Sequence, residues 1–169
     1  MFLSKANIDI HKEYLRQKKL QYSIFEKSYP QIIGKSGKEI KRISLPKGER
    51  EELLFLKGEI IAHEMFFDSF FDNARYPSEM REEYGSAAGF LYSLFENAIK
   101  SEGFLLVYRA RDGKIGYYAG LDYRDIIFNT TVFLAVDLYE HAYFYDYLFD
   151  KKLYLQHALS ILNLSKLKL

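Results

Sequence analysis

The sequence predicts an α+β fold: an N-terminal antiparallel helical hairpin packed on a C-terminal domain with a three-stranded antiparallel sheet and flanking helices. Apolar residues recur at helical spacing up to about residue 100, after which the pattern changes to short apolar runs. Helical spacing returns after the third run. We place an N-terminal helical hairpin domain at residues 1–75 and a C-terminal α/β domain at residues 76–169, with Pro77 marking the break.

The helices follow from the apolar spacing and from the residues that interrupt it. Residues 8–28 and 51–71 are predicted as the two helices of the hairpin, since apolar side chains recur on one face of each. The basic segment between them, residues 29–48, contains prolines and glycines and is expected to be a loop. A break is expected at residues 73–78, followed by a third helix at residues 79–100.

The sheet is predicted from three short runs rich in β-branched and apolar residues. The first two, residues 104–109 and 115–119, are separated by an Asp-Gly turn that suits a tight hairpin. Residues 130–136 form the third strand. Residues 139–162 are expected to form a helix.

The composition narrows the chemistry that this chain can perform. It contains no cysteine, which excludes disulfides, thiolate chemistry, iron–sulfur clusters and cysteine-bound zinc. A metal ion would therefore need histidine and carboxylate ligands, which suit iron, manganese and zinc. The net charge of +1 gives no reason to expect nucleic acid or a membrane as a partner. The chain shows no leader-like or membrane-spanning apolar run, so we expect a cytoplasmic protein.

The candidate metal ligands are three of the chain's four histidines and one aspartate. His11 and His63 lie on the helix faces that we expect to be buried, and they could converge across the hairpin as ligands do in helical bundles. The alternative is that each is a core histidine with its hydrogen bonds satisfied. Asp137 ends an apolar strand, where a buried carboxylate needs a partner, and His141 follows four residues later. His157 is expected to be structural.

Several segments resemble the iron/manganese superoxide dismutase family. Residues 137–143, Asp-Leu-Tyr-Glu-His-Ala-Tyr, resemble the family signature Asp-x-Trp-Glu-His-Ala-Tyr. Residues 61–67, Ile-Ala-His-Glu-Met-Phe-Phe, resemble its Ile-Asn-His-x-x-Phe-Trp motif, and residues 8–11, Ile-Asp-Ile-His, match the short apolar stretch before its first ligand. Residues 84–86, Tyr-Gly-Ser, resemble the family's Phe-Gly-Ser.

The resemblance implies one Fe or Mn ion per chain and superoxide as the substrate. The ligands that it implies are His11, His63, Asp137 and His141. In the family, the oxidised metal takes an electron from one superoxide and releases dioxygen. The reduced metal gives that electron to a second superoxide, which leaves as hydrogen peroxide. The resemblance also implies a homodimer.

The sequence departs from the family around the ligands. Leu15 stands where the family has a histidine, and Phe144 where it has a tyrosine; these two family residues bond each other, so their joint loss is a matched change. The family's gateway tyrosine aligns with Lys19, unless a small insertion lets Tyr22 take its place. Tyr139, Phe104 and Phe67 replace family tryptophans.

Three further residues are candidates for catalysis by resemblance. The family glutamine that bonds the metal-bound solvent aligns with Glu59 in one subgroup and with Tyr123 in the other, and the Tyr123 phenol could donate in its place. Glu140 matches a glutamate that reaches the partner subunit's ligand histidine, although a carboxylate is also favoured at a helix start. Lys151 aligns with an arginine that attracts the anion; the alternative is a solvated lysine.

These departures leave two other functions open. The first is a metalloprotein of the same fold that performs other redox chemistry on oxygen or on a small organic substrate. The second is a non-enzymatic protein that uses the fold for binding or assembly. A pure scaffold has no physical need for four metal ligands, which argues against this second alternative.

Overall fold

The computed structural model of the protein describes residues 2–70 and 84–167. Helix α1 spans Lys5–Ser28, and helix α3 spans Lys47–Asp68. Tyr14 in the first half of α1 bonds Glu59 in the second half of α3, whereas Tyr29, which follows the end of α1, bonds Glu49 at the start of α3. The two helices are therefore antiparallel, which confirms the predicted hairpin.

Helix α1 begins three residues earlier than the spacing of apolar residues predicted. The hydroxyl of Ser4 accepts a hydrogen bond from the Asn7 backbone N–H and caps the helix. An N-cap of this kind satisfies a backbone donor that the first turn would otherwise leave without a partner. Apolar periodicity does not detect the first turn, because that turn is held by the cap.

The segment between these helices is more ordered than the predicted loop. It holds a 3₁₀ turn at Pro30–Ile32 and a one-turn helix α2 at Gly37–Ile40. Ser36 and Glu39 form a capping box, each side chain bonding the other's backbone N–H. Ile32 and Ile40 are fully buried, so the segment packs against the hairpin.

The sheet has the order β2-β1-β3, and both strand pairs are antiparallel. Strands β1, β2 and β3 span Phe104–Arg109, Ile115–Gly120 and Thr131–Asp137, which confirms the three predicted strands to within one residue at each end. Gly113 in the β1–β2 turn has a φ of +89°, a conformation that favours glycine.

In chain order, one helix precedes β1 and another follows β2. Helix α4 spans Ala87–Ala98 and is shorter than the predicted helix, whose residues 79–83 lie outside the described residues, as does the predicted break at 73–78. Helix α5, Arg124–Asn129, joins β2 to β3 and was not predicted. Six residues are too few to show a helical period against the background of the neighbouring strands.

The predicted C-terminal helix is in fact two helices. Helix α6 spans Glu140–Tyr147, and helix α7 spans Lys151–Ser160. Leu148 breaks them with φ 52° and ψ −121°, and the Asp150 backbone N–H bonds the Tyr147 carbonyl at 2.9 Å. These values match the first central position of a type II′ turn, which glycine normally occupies. A leucine there leaves no signal in the sequence for a turn.

The sheet lies between the hairpin and the C-terminal helices. Leu105 and Val107 point to the face covered by α4, α6 and α7, and this face carries the larger core. Phe104 and Leu106 point to the other face, where they meet Ala62 of α3. Asp137 ends β3 beside this second core. No helix among the described residues is long and apolar enough to cross a membrane. The domain boundary predicted between residues 75 and 76 falls outside the described residues and stays a prediction.

The strained turn predicts a stabilising substitution. Replacing Leu148 with Gly should raise the free energy of unfolding by about 1 kcal/mol, because glycine adopts the positive φ without a steric penalty. Leu148 is 62% exposed, so little buried apolar contact is lost. Urea unfolding would measure the change. Leu148→Ala is the control, since it removes the same exposed side chain but keeps a Cβ at positive φ. Equal effects of the two substitutions would contradict this account.

Candidate metal centre

Four side chains from four elements meet at the end of β3. His11 lies on α1, His63 on α3, Asp137 at the last position of β3 and His141 in the first turn of α6. The side chains of His11, His63 and Asp137 are fully buried, and that of His141 is 23% exposed. One potential ligand atom from each lies within 4.8 Å of all the others. The structure thus brings together all four ligands implied by the resemblance.

The carboxylate of Asp137 is the centre of this group. Its Oδ2 atom lies 2.8 Å from Nε2 of His11, 3.2 Å from Nε2 of His63 and 3.0 Å from Nε2 of His141. Nε2 of His63 and Nε2 of His141 are 3.3 Å apart. Ligand atoms bound at about 2.1 Å to one metal ion lie about 3.0 Å apart at right angles. The spacing therefore fits a mononuclear metal site.

The hydrogen bond on the far side of His63 gives independent support. Nδ1 of His63 lies 2.7 Å from the backbone carbonyl of Glu59, which can only accept, so Nδ1 must carry a proton. In a neutral imidazole, Nε2 then presents a lone pair to Asp137 Oδ2, and two acceptors face each other at 3.2 Å. A cation or a proton must lie between them. A metal ion bound by both atoms meets this need.

Burial and hydrogen bonding oppose each other in the electrostatics of the group. Burial alone would raise the pKa of Asp137, but hydrogen bonds from the three histidines outweigh it and hold this pKa well below its usual range. Burial lowers the pKa of His11 despite its contact with Asp137. Burial also disfavours a charged His63, yet Asp137 and Glu59 together raise the pKa of His63. A binding metal ion would displace the proton that this cluster otherwise holds.

The orientation of Asp137 is fixed by bonds outside the ligand group. Its Oδ1 atom accepts a hydrogen bond from the Tyr139 backbone N–H at 2.9 Å. The Tyr154 hydroxyl, fully buried on α7, donates to the Asp137 backbone carbonyl at 2.8 Å. Partners of this kind hold a ligand in place and tune its basicity.

Aromatic rings enclose the four side chains. The Tyr14 ring stacks on His141 with centroids 4.2 Å apart, and the Tyr139 ring lies nearly parallel to His141 at 5.6 Å. Phe66 lies 4.5 Å from His11, and Phe104 lies 4.9 Å from His63. These rings restrict water around the group and so strengthen its internal electrostatic interactions.

Sequence reasoning missed Tyr14 as a residue of this site. Its hydroxyl donates to Oε1 of Glu59 at 2.9 Å, and Nζ of Lys18 pairs with the other carboxylate oxygen at 3.0 Å. Glu59 is 2% exposed. Lys18, Glu59 and Tyr14 therefore form a chain of polar groups that runs from the edge of the α1–α3 hairpin to the rings of the histidines. The signal was present, since Tyr14 follows His11 by three residues and must share its helix face.

The two positions considered for the gateway tyrosine face helix α3. Lys19 pairs with Glu64 at 2.7 Å, and Tyr22 accepts a bond from Lys57 at 3.2 Å. Both side chains contact residues of α3, and the alignment of the gateway position with Lys19 or Tyr22 stays a prediction. Tyr14 takes the place beside the ligands.

Tyr123 lies next to Phe104, the ring that packs against His63. It is fully buried and packs edge-on against Phe104, with ring centroids 5.2 Å apart. Its hydroxyl has no well-oriented hydrogen bond within the described part of the chain, although the Tyr139 phenol is close enough to interact. Burial raises the pKa of Tyr123, so the phenol stays protonated.

Glu140 and Lys151 lie at a cleft of about 600 Å³ that reaches His141. The other residues lining it are Glu102, Leu138, Tyr139 and Tyr143. Lys151 is half-buried, its ammonium donates to the Ser101 backbone carbonyl, and burial lowers its pKa. His157 lies apart on α7, where its Nδ1 atom is 3.0 Å from the Tyr147 hydroxyl.

Comparison with protein-family models places the C-terminal part of the chain in a known family. Residues 72–168 match the family model described as iron/manganese superoxide dismutases, C-terminal domain. The matched segment covers more than half of the 169 residues and includes Asp137 and His141. No curated protein is similar enough to the chain to count as a match.

The burial of Glu59 predicts that loss of the Tyr14 hydroxyl lowers the free energy of unfolding more than loss of the Tyr22 hydroxyl does. Tyr14→Phe should lower the free energy of unfolding of the metal-free protein by about 2 kcal/mol, because the buried carboxylate loses a hydrogen bond. Tyr22→Phe, which loses only its contact with Lys57, should change it by less than about 0.5 kcal/mol. Chemical denaturation of both variants would measure the difference. Equal costs would show that the Tyr14–Glu59 bond contributes nothing to stability.

Proposed function

Because the chain belongs to the iron/manganese superoxide dismutase family, we propose that it is a metal-dependent superoxide dismutase. The reaction converts two superoxide ions and two protons to dioxygen and hydrogen peroxide. The ion, one Fe or Mn per chain, would be held by His11, His63, Asp137 and His141. The observation that carries this proposal is the buried Asp137 carboxylate, which three histidine nitrogens approach within 3.2 Å.

The residues around the centre would control access and protons. A bound metal ion supplies one-electron redox chemistry by alternating between two oxidation states. Tyr14 would take the part of the gateway residue, since burial first and Glu59 second raise its pKa and keep the proton on its hydroxyl. The Glu59 carboxylate fixes the direction of that hydroxyl through its 2.9 Å bond.

The cleft beside α6 would be the route to the centre, because it is lined by the partly exposed His141. Lys151 would attract the superoxide anion from the wall of this cleft. Tyr123 packs against Phe104, which in turn packs against His63, so we assign it a positioning role through that ring in place of a direct catalytic one. The cytoplasmic location stays a prediction.

A homodimer is the proposed assembly, and an exposed apolar surface supports it. The end of α6 and the following turn expose four large apolar side chains, with Phe149 at 80%. The others are Phe144, Tyr145 and Leu148. Glu140 lies on the same helix, exposed, where it could reach the ligand histidine of a second copy.

The charge of the cleft favours a second candidate function. Two carboxylates, Glu102 and Glu140, line it against one lysine, so the cleft has no excess of positive charge to draw in an anion. Redox chemistry on a neutral oxygen species or a small organic substrate would suit such an entrance. If the partner subunit neutralises Glu140, Glu102 and Lys151 leave the cleft with no net charge, which no longer opposes the entry of superoxide.

Removal of one ligand tests the proposed function. His141→Ala should lower superoxide consumption and metal affinity by more than about 100-fold, because loss of a direct ligand costs more than loss of a supporting partner. His157→Ala is the matched control, since His157 lies on α7 away from the ligands, and it should retain both. Superoxide decay and metal stoichiometry would be measured on the same samples. Unchanged metal content in His141→Ala would refute the ligand assignment, and metal without superoxide consumption in the wild type would favour the second candidate.

The proposed dimer predicts an effect of charge at the exposed turn. Wild-type protein should sediment as two chains, and Phe149→Asp should shift it towards single chains, because a buried unpaired carboxylate disfavours the interface. Tyr92→Asp is the control, as Tyr92 is 65% exposed on α4. Analytical ultracentrifugation would measure both. A wild-type protein that sediments as a single chain would contradict the dimer.

A further inference from the structure

The ring of His11 has one nitrogen for which the described part of the chain supplies no hydrogen-bond partner. Its Nε2 atom lies 2.8 Å from Asp137 Oδ2, in the ligand group. Its Nδ1 atom is buried and has no hydrogen-bond partner among residues 2–70 and 84–167. If Nε2 binds a metal ion, Nδ1 must carry the ring proton. A buried N–H without an acceptor is unfavourable, because nothing replaces the hydrogen bond that it made to water in the unfolded chain.

Asn7 lies one helical turn before His11 and has the opposite deficiency. Residues four apart on a helix lie on one face, so the two side chains are neighbours. Asn7 is fully buried, and its Nδ2 atom donates to the Ala142 backbone carbonyl at 3.2 Å. Because that carbonyl can only accept, the orientation of the carboxamide is fixed. Its Oδ1 atom is then a buried acceptor without a partner in the described part of the chain.

We infer that Asn7 is a positioning residue for His11, whose Nδ1 proton its Oδ1 atom accepts when Nε2 binds a metal ion. This inference rests on the proposed metal centre. The bond would fix the tautomer and the angle of the imidazole ring, as partners of metal-bound histidines commonly do. It would also satisfy two buried polar atoms at once, which neither residue achieves alone.

A comparison within the chain supports this assignment. His63 obtains the same support from the residue four positions before it, because the Glu59 backbone carbonyl accepts from Nδ1 at 2.7 Å. For His11 the residue four positions earlier supplies an amide side chain instead. The same carboxamide holds α1 against α6 through Ala142, the neighbour of His141. Asn7 would thus set the positions of two ligands from different helices.

Two substitutions separate the positioning role from a structural one. Asn7→Asp keeps an acceptor for His11 but loses the donor to Ala142, whereas Asn7→Leu loses both. Both variants should be less stable than the wild type. If Asn7 only ties α1 to α6, metal affinity should fall equally in both. If it positions His11, Asn7→Leu should weaken Zn²⁺ binding by about 10–100-fold and Asn7→Asp should not.

The experiment is a Zn²⁺ competition titration with a chelator on the full chain, together with histidine ¹⁵N NMR of the Zn²⁺-loaded wild type. We expect the affinity order just given and a solvent-protected proton on Nδ1 of His11. Equal losses in the two variants, or no loss in Asn7→Leu, would overturn the inference and leave the metal centre standing. An unprotonated Nδ1 of His11 in the Zn²⁺-loaded wild type would also overturn the inference, even if neither variant folds. No Zn²⁺ binding by the wild type would overturn both proposals.

Discussion

The burial of the Asp137 carboxylate is the constraint on which the rest of the structure depends. A charged group at the end of a buried strand is costly unless other groups compensate for it. Here three histidine nitrogens approach one of its oxygens, and the Tyr139 backbone N–H bonds the other. Those histidines come from α1, α3 and α6. The helical hairpin, the sheet and the C-terminal helices must therefore be placed correctly for one side chain to be accommodated.

Three of the four candidate ligands have a partner on their outer side within the described chain, and these partners differ in kind. A backbone carbonyl serves His63, a tyrosine hydroxyl on α7 holds the Asp137 backbone, and tyrosine rings pack along His141. The buried pair of Tyr14 and Glu59 adds a polar path from the hairpin edge towards the centre. The family resemblance describes the ligands well, but the surroundings of the centre are particular to this chain. Its chemistry depends on these surroundings as much as on the ligands.

Much of the fold was predictable because its signals are local. The strands β1 and β2 follow from apolar runs around an Asp-Gly turn, and the hairpin follows from helical spacing. Helix α5 was missed because it is short, and the break at Leu148 because a leucine gives no turn signal. The meeting of the four ligand side chains could be expected from the family resemblance. Tyr14 was not found, since its place follows from the helix face of His11 and not from the family spacing.

The metal content of the purified protein tests the central claim most directly. Elemental mass spectrometry of the full chain, before and after reconstitution with Fe and with Mn, would give the number of ions per chain. The account predicts about one Fe or Mn ion, since one buried carboxylate and three histidines form one site. A chain that holds neither metal after reconstitution would contradict it, because Asp137 would then be compensated by histidine protons alone.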